Sequence, residues 1–144
     1  MANILNWSDE YSVEIQEIDE QHKRLVDLIN KLYAAIAAKD QATVIEQVLD
    51  DLVDYTRVHF AVEECLMRMF GYAGYEEHKA IHDKIVQRVQ EFQSQFKGGD
   101  QKMGMELLYF LKDWLMDHIK KVDKQYAPHL TKAGVKKTWL KKFF

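Results

Sequence analysis

Seven side chains in this sequence have types and spacings that suit a metal centre. They are five of the six histidines (His22, His59, His78, His82 and His118) and two carboxylates, Glu63 and Asp123. His59 and Glu63 stand four apart in "HFAVE", and His78 and His82 stand four apart in "HKAIH". Residues four apart on a helix share one face, with Cβ atoms ~5–6 Å apart. That suits two ligands on one ion, or one ligand and one bridge. Imidazole also relays protons, so each pair by itself leaves zinc, proton transfer and coincidence open. "HIKKVD" sets Asp123 five residues after His118, about 140° round an ideal helix. Either Asp123 reaches across from a poor face, or the helix distorts near 118–123, because Val122 holds the slot the apolar pattern expects.

The elements that must position these residues follow from the apolar period. One seam reads Ile18, His22, Leu25, Ile29, Leu32, Ile36, and a second reads Ile45, Leu49, Leu52, Thr56, His59, Glu63, Leu66, Phe70. A third reads His78, His82, Ile85, Val89, Phe92, Phe96, and a fourth reads Gly104, Leu108, Leu111, Leu115, His118, Val122. Steps of three and four alternate, as in amphipathic helices packed in a bundle. Helices are therefore expected over 18–38, 41–70, 75–97 and 101–123. The breaks "KDQA", "GYAG" and "KGGD" are short, and short connections make antiparallel neighbours. The fold class is all-α: an up-down-up-down antiparallel four-helix bundle with an N-terminal arm (1–17) and a short C-terminal helical extension (124–144). Asp40 and Asp100 are the expected N-caps of the second and fourth helices. Trp139, Leu140, Phe143 and Phe144 are expected to patch the bundle surface. A chain of 144 residues suits one domain, taken here as 1–144.

Polar residues in apolar seams need partners. Each buried histidine would cost about 1–3 kcal/mol if left unpaired, and five together would rival the ~5–15 kcal/mol stability of a whole domain. Their heights agree. His22 opens the first helix, His59 and Glu63 lie late in the second, His78 and His82 open the third, and His118 and Asp123 close the fourth. In an antiparallel bundle all seven then converge at one end. Five imidazoles and two carboxylates are too many for one ion and suit two. Nitrogen and oxygen donors without sulfur fit iron, zinc, copper or manganese.

Composition excludes other classes. The single cysteine, Cys65, makes neither an internal disulfide nor a CxxC site and fits a reducing compartment. The first residues lack a signal-peptide pattern, and no apolar stretch approaches the ~20 residues of a membrane span; a cytoplasmic location is expected. Net charge is −3, yet residues 120–144 hold eight lysines against one aspartate. That segment is expected to be a solvated face; contact with an acidic partner or a membrane surface is the alternative. The acidic body carries no nucleic-acid footprint.

Taken together, "IDEQHKRLVDLIN", "HFAVEE", "EEHKAIHDK" and "WLMDHIKKVD" resemble the hemerythrin family, particularly its bacterial single-domain members, over about residues 7–130. The pattern H…HxxxE…HxxxH…HxxxxD is complete, and the i, i+5 pair is part of it. The resemblance implies two iron ions as a non-haem di-iron centre that binds dioxygen reversibly. His78, His82 and His118 would hold one iron, and His22 and His59 the other, which would keep an open position for oxygen. Glu63 and Asp123 would bridge them, with an oxo or hydroxo group as third bridge. Trp114, Leu115 and Ile119 would line the oxygen pocket, a role compatible with plain core packing. Gln21 and Glu64 adjoin ligand positions, and either orient imidazole N–H groups or are simply exposed. His129 matches no ligand position. The implied role is an oxygen carrier, store or buffer rather than an enzyme, and the partners considered for the basic segment are an oxygen-consuming protein or a membrane surface. The alternatives are a di-iron oxygen or redox sensor, or a peroxidase or nitric-oxide-handling redox protein.

Overall fold

A computed structural model describes residues 3–39, 41–96 and 101–132. Four long helices dominate: α1 (Gln16–Ala37), α2 (Ala42–Met69), α3 (Tyr75–Gln95) and α4 (Gln101–Asp117). α1 packs on α2 and α4, and α3 closes the bundle against the same two. The architecture is the expected antiparallel four-helix bundle. None of the described helices is long and apolar enough to cross a membrane.

The seams explain the packing. Leu25, Ile29, Leu32 and Ile36 of α1 join Ile45, Leu49 and Leu52 of α2 in one apolar cluster. Ile85, Val89 and Phe92 of α3 and Leu108, Leu111 and Leu115 of α4 complete it. Each such side chain contributes roughly 1.5–3 kcal/mol on burial, so the apolar layers stabilise the bundle and carry a polar layer at one end. A second cluster closes that end from the other side. It contains Val13 and Ile15 of the arm, Ile18, Leu66, Met67, Tyr126, Ala127 and Leu130. The candidate ligands therefore lie between two apolar clusters.

The turn after α2 sets where α3 begins. Gly71 has φ +65°, its N–H donates to the Arg68 carbonyl, and the Tyr72 N–H donates to the Met67 carbonyl. This is the Schellman arrangement that stops a helix, and its left-handed residue favours glycine. The arm is tied to α1 by side chains. Asp19 accepts from the Ser12 hydroxyl and the Val13 N–H, and the Asn30 amide oxygen accepts from the N–H groups of Ile4 and Leu5.

Beyond α4 the helical path passes through a π-helical turn (His118–Asp123) into α5 (Lys124–Lys132), in the segment where a helical extension is expected, and Tyr126, Ala127 and Leu130 of α5 are buried. One expectation needs correction: Val122 does not hold the seam slot. Val122 is half-buried, while Asp123 is completely buried. A π turn bonds i to i+5 and so inserts one extra residue into the helix. It turns position 123 onto the face of His118. The expected caps Asp40 and Asp100, and the aromatic residues Trp139, Leu140, Phe143 and Phe144, lie outside the described residues.

Candidate metal centre

All seven sequence-predicted ligands meet at one end of the bundle, and all seven are buried. They fall into two overlapping sets. Glu63, His78, His82, His118 and Asp123 offer five donor atoms within 4.8 Å of one another, and His22, His59, Glu63 and Asp123 offer four. Both carboxylates belong to both sets. Asp123 shows how the sharing works: Oδ1 lies 3.0 Å from His78 Nε2 and 2.9 Å from His118 Nε2, while Oδ2 lies 3.1 Å from His22 Nε2. Glu63 Oε1 lies 2.9 Å from His59 Nε2 and 3.6 Å from His82 Nε2.

Protons alone do not account for this arrangement. His82 Nε2 lies 3.1 Å from His78 Nε2 and 3.0 Å from His118 Nε2. Glu64 accepts from His82 Nδ1–H at 2.9 Å, which leaves His82 Nε2 a bare lone pair. On the other side, Gln21 accepts from His59 Nδ1–H at 2.6 Å. No donor among the described residues is correctly directed at either oxygen of Glu63 or of Asp123. Buried carboxylates and converging lone pairs of this kind fit a cation between them. Two donors ~2.1 Å from an ion and at right angles stand ~3.0 Å apart, which is the spacing of His82 Nε2 from the Nε2 atoms of His78 and His118. The residues present therefore fit a metal, and the nitrogen and oxygen donor set suits iron.

The charges lean the same way. Burial and Asp123 push the Glu63 carboxyl up, but His59 and His82 outweigh them and hold it below the ordinary carboxylate range. Burial opposes the charge on Asp123 as well, and the surrounding His118, His22 and His78 hold it well below that range. Both bridging candidates are thus anions. Burial pushes His82 down to about 3, so its ring is neutral and ready to ligate at neutral pH.

Residues 13–130 match the family model of the hemerythrin HHE cation-binding domain. The chain belongs to the hemerythrin family. It is 43% identical over 127 residues to the bacteriohemerythrin of Pseudomonas aeruginosa, covering 88% of this chain and 81% of that protein. It is 37% identical over 129 residues to the bacteriohemerythrin of Methylococcus capsulatus, covering 89% and 98%. A crystal structure of wild-type hemerythrin superposes with a TM-score of 0.81 at 36% identity, covering 89% of this chain and 98% of the other.

Other parts of this hemerythrin centre were not legible beforehand. Phe60 stacks on the His82 ring with centroids 3.7 Å apart and planes 1° from parallel. Its position next to His59 in "HF" was the available signal. Tyr126, completely buried, lies 5.5 Å from the His78 ring. Burial and the carboxylates of Glu63 and Asp123 raise its phenol well above the usual value. Trp7 of the arm packs 6.5 Å from the His22 ring. Of the expected pocket residues, Leu115 and Ile119 are buried in the main apolar cluster. Trp114 is half-buried, 5.3 Å from the His118 ring and edge-on to Phe60 at 5.4 Å. His129 stands apart from the centre and donates to the Phe70 carbonyl at 2.7 Å, tying α5 to the end of α2.

Proposed function

We propose that this chain binds two iron ions at the polar layer and uses them to bind dioxygen reversibly, as a carrier, store or buffer. His78, His82 and His118 would hold one ion, His22 and His59 the other, and Glu63 and Asp123 would bridge them. The observation that carries this reading is the unequal split of donors, five in one set and four in the other, with both carboxylates shared. The two-histidine side has one donor fewer and so has room for an external ligand. Two irons there would supply the two electrons that reversible oxygen binding takes up and returns.

The chain's own residues would do the rest. Glu63 and Asp123 would offset two of the four charges of a diferrous pair, with no buried lysine or arginine beside them among the described residues. Leu115 and Ile119 would keep water from the centre, and Trp7 covers the His22 side. Excluding water strengthens the local electrostatics and slows loss of charged oxygen species. Trp114 would shield the three-histidine side through its contact with His118.

The test is optical. Protein loaded with ferrous iron is expected to gain visible charge-transfer absorption on exposure to air and to lose it under vacuum, over repeated cycles. Iron analysis should give two ions per chain. Absorption that never reverses would favour oxidase or peroxidase chemistry, and one zinc per chain would overturn the site.

A further inference from the structure

Each half of the centre has one histidine whose outer nitrogen is anchored by a residue from a neighbouring helix, and the two anchors differ in charge. His59 on α2 donates through Nδ1–H to the neutral Gln21 amide on α1 at 2.6 Å. His82 on α3 donates through Nδ1–H to the Glu64 carboxylate on α2 at 2.9 Å. Both contacts fix the tautomer, so that each Nε2 faces the centre with its lone pair. Only the carboxylate also pulls on the proton, which makes the opposite nitrogen a stronger electron donor. The Glu64 side chain is 19% exposed, so water still reaches its carboxyl group, while burial raises that group above the ordinary carboxylate value. It borders a surface groove of about 300 Å³ between α2 and α3, together with Arg57, Phe60 and His82.

We propose that Glu64 and Gln21 are positioning residues that make the two halves of the centre unequal. Glu64 makes the three-histidine half the tighter one and favours higher charge on its ion. Gln21 orients His59 without that bias and leaves the two-histidine half weaker and easier to reduce. The inference rests on the two-ion reading of the site. It adds that a difference in outer anchors, and not only a difference in histidine number, separates the two halves.

The test is a titration of metal-free full-length protein with cobalt(II), followed by cobalt absorption, so that no oxygen chemistry enters. Wild type should take up two ions with separable affinities, and His118→Ala marks the three-histidine step by abolishing it. Glu64→Gln keeps an acceptor for His82 and removes only the charge. It should weaken the three-histidine step by about 10- to 100-fold and leave the other step unchanged. Gln21→Glu should tighten the two-histidine step by a similar factor. Because the two variants act with opposite sign on different steps, a general loss of fold cannot mimic the pair. Unchanged affinities in both variants, or shifts in the same step, would overturn the inference while the two-ion reading stands. Fewer than two cobalt ions in the wild type would overturn both.

Discussion

Glu63 touches both halves of the centre, so the centre depends on it more than on any single histidine. Its Oε1 lies between His59 Nε2 and His82 Nε2, and its neighbour Asp123 repels it across the layer. Glu63→Ala is expected to bring iron below two per chain and to lower the melting temperature of the iron-loaded protein. The loss of affinity should exceed the ~10–100-fold that follows from losing an outer anchor; iron content and melting curves measured together check it. The same residues set a pH profile in chelator-treated protein. His82 is pushed down from 6.5 to about 3 when folded, so the unfolded chain takes up that proton first. Stability then falls as pH drops below 6.5. Glu63 and Asp123 also sit below their ordinary values of 4.5 and 3.8, so the fall steepens below about pH 4.5. His118 acts in the opposite sense: burial disfavours its charge, but Asp123 outweighs that and raises its pKa. Its contribution is full below 6.5 and fades as pH rises through the raised value. Urea midpoints of the metal-free chain should therefore peak near pH 6–7, and a flat profile between pH 4 and 8 would contradict the argument.

At the scale of elements, the π turn is where sequence and structure part most instructively. The first three helices that carry candidate ligands were readable because their polar residues simply replace apolar ones at steps of three and four. His22, His59, Glu63, His78 and His82 all occupy such slots and all are buried. The fourth helix was not fully readable, because a local insertion changes the face of everything after it, and nothing in "HIKKVD" announces which residue is the extra one. The spacing showed that a distortion or a reach was needed; the packing on either side decides that it is a distortion. Leu115 and Ile119 fix α4 in the main cluster, and Tyr126 and Leu130 fix α5 in the second. The register between them leaves one residue over, and the π turn absorbs it. Exchanging the pair as Val122→Asp with Asp123→Val gives the tidy i, i+4 spacing but points the carboxylate at the half-buried slot. Iron content should fall below two, and retention of both irons would show that the turn yields to the metal. The turn after α2 offers a contrast. Gly71→Ala forces a side chain into φ +65° and should cost roughly 1–2 kcal/mol, with iron stoichiometry unchanged.

At the scale of the whole molecule, the polar layer lies between two apolar clusters of unequal size. The larger cluster runs through all four helices from Leu25 and Phe60 to Ile36 and Leu107. The smaller one holds Val13 and Ile15 at the end of the arm, the start of α1, the end of α2 and α5 together. The larger cluster needs no metal to stay packed. Between the two clusters lies the layer of candidate ligands, where two carboxylates lie close together with no donor among the described residues directed at them. Removing the ions should therefore loosen one end and not melt the bundle. Local opening of this kind is read by amide hydrogen exchange, which resolves free energies from near zero up to the global value. In chelated protein, amides of residues 78–82, 118–123 and 124–132 should exchange faster than in the iron-loaded form. Those of residues 29–36 and 107–111 should remain slow. Far-ultraviolet circular dichroism should lose only a small part of its helical signal. Uniform acceleration along all the helices would mean that the metal holds the entire bundle together and that the larger cluster is not stable alone. No change at residues 118–123 would mean that the π turn is held by packing and does not need the ions.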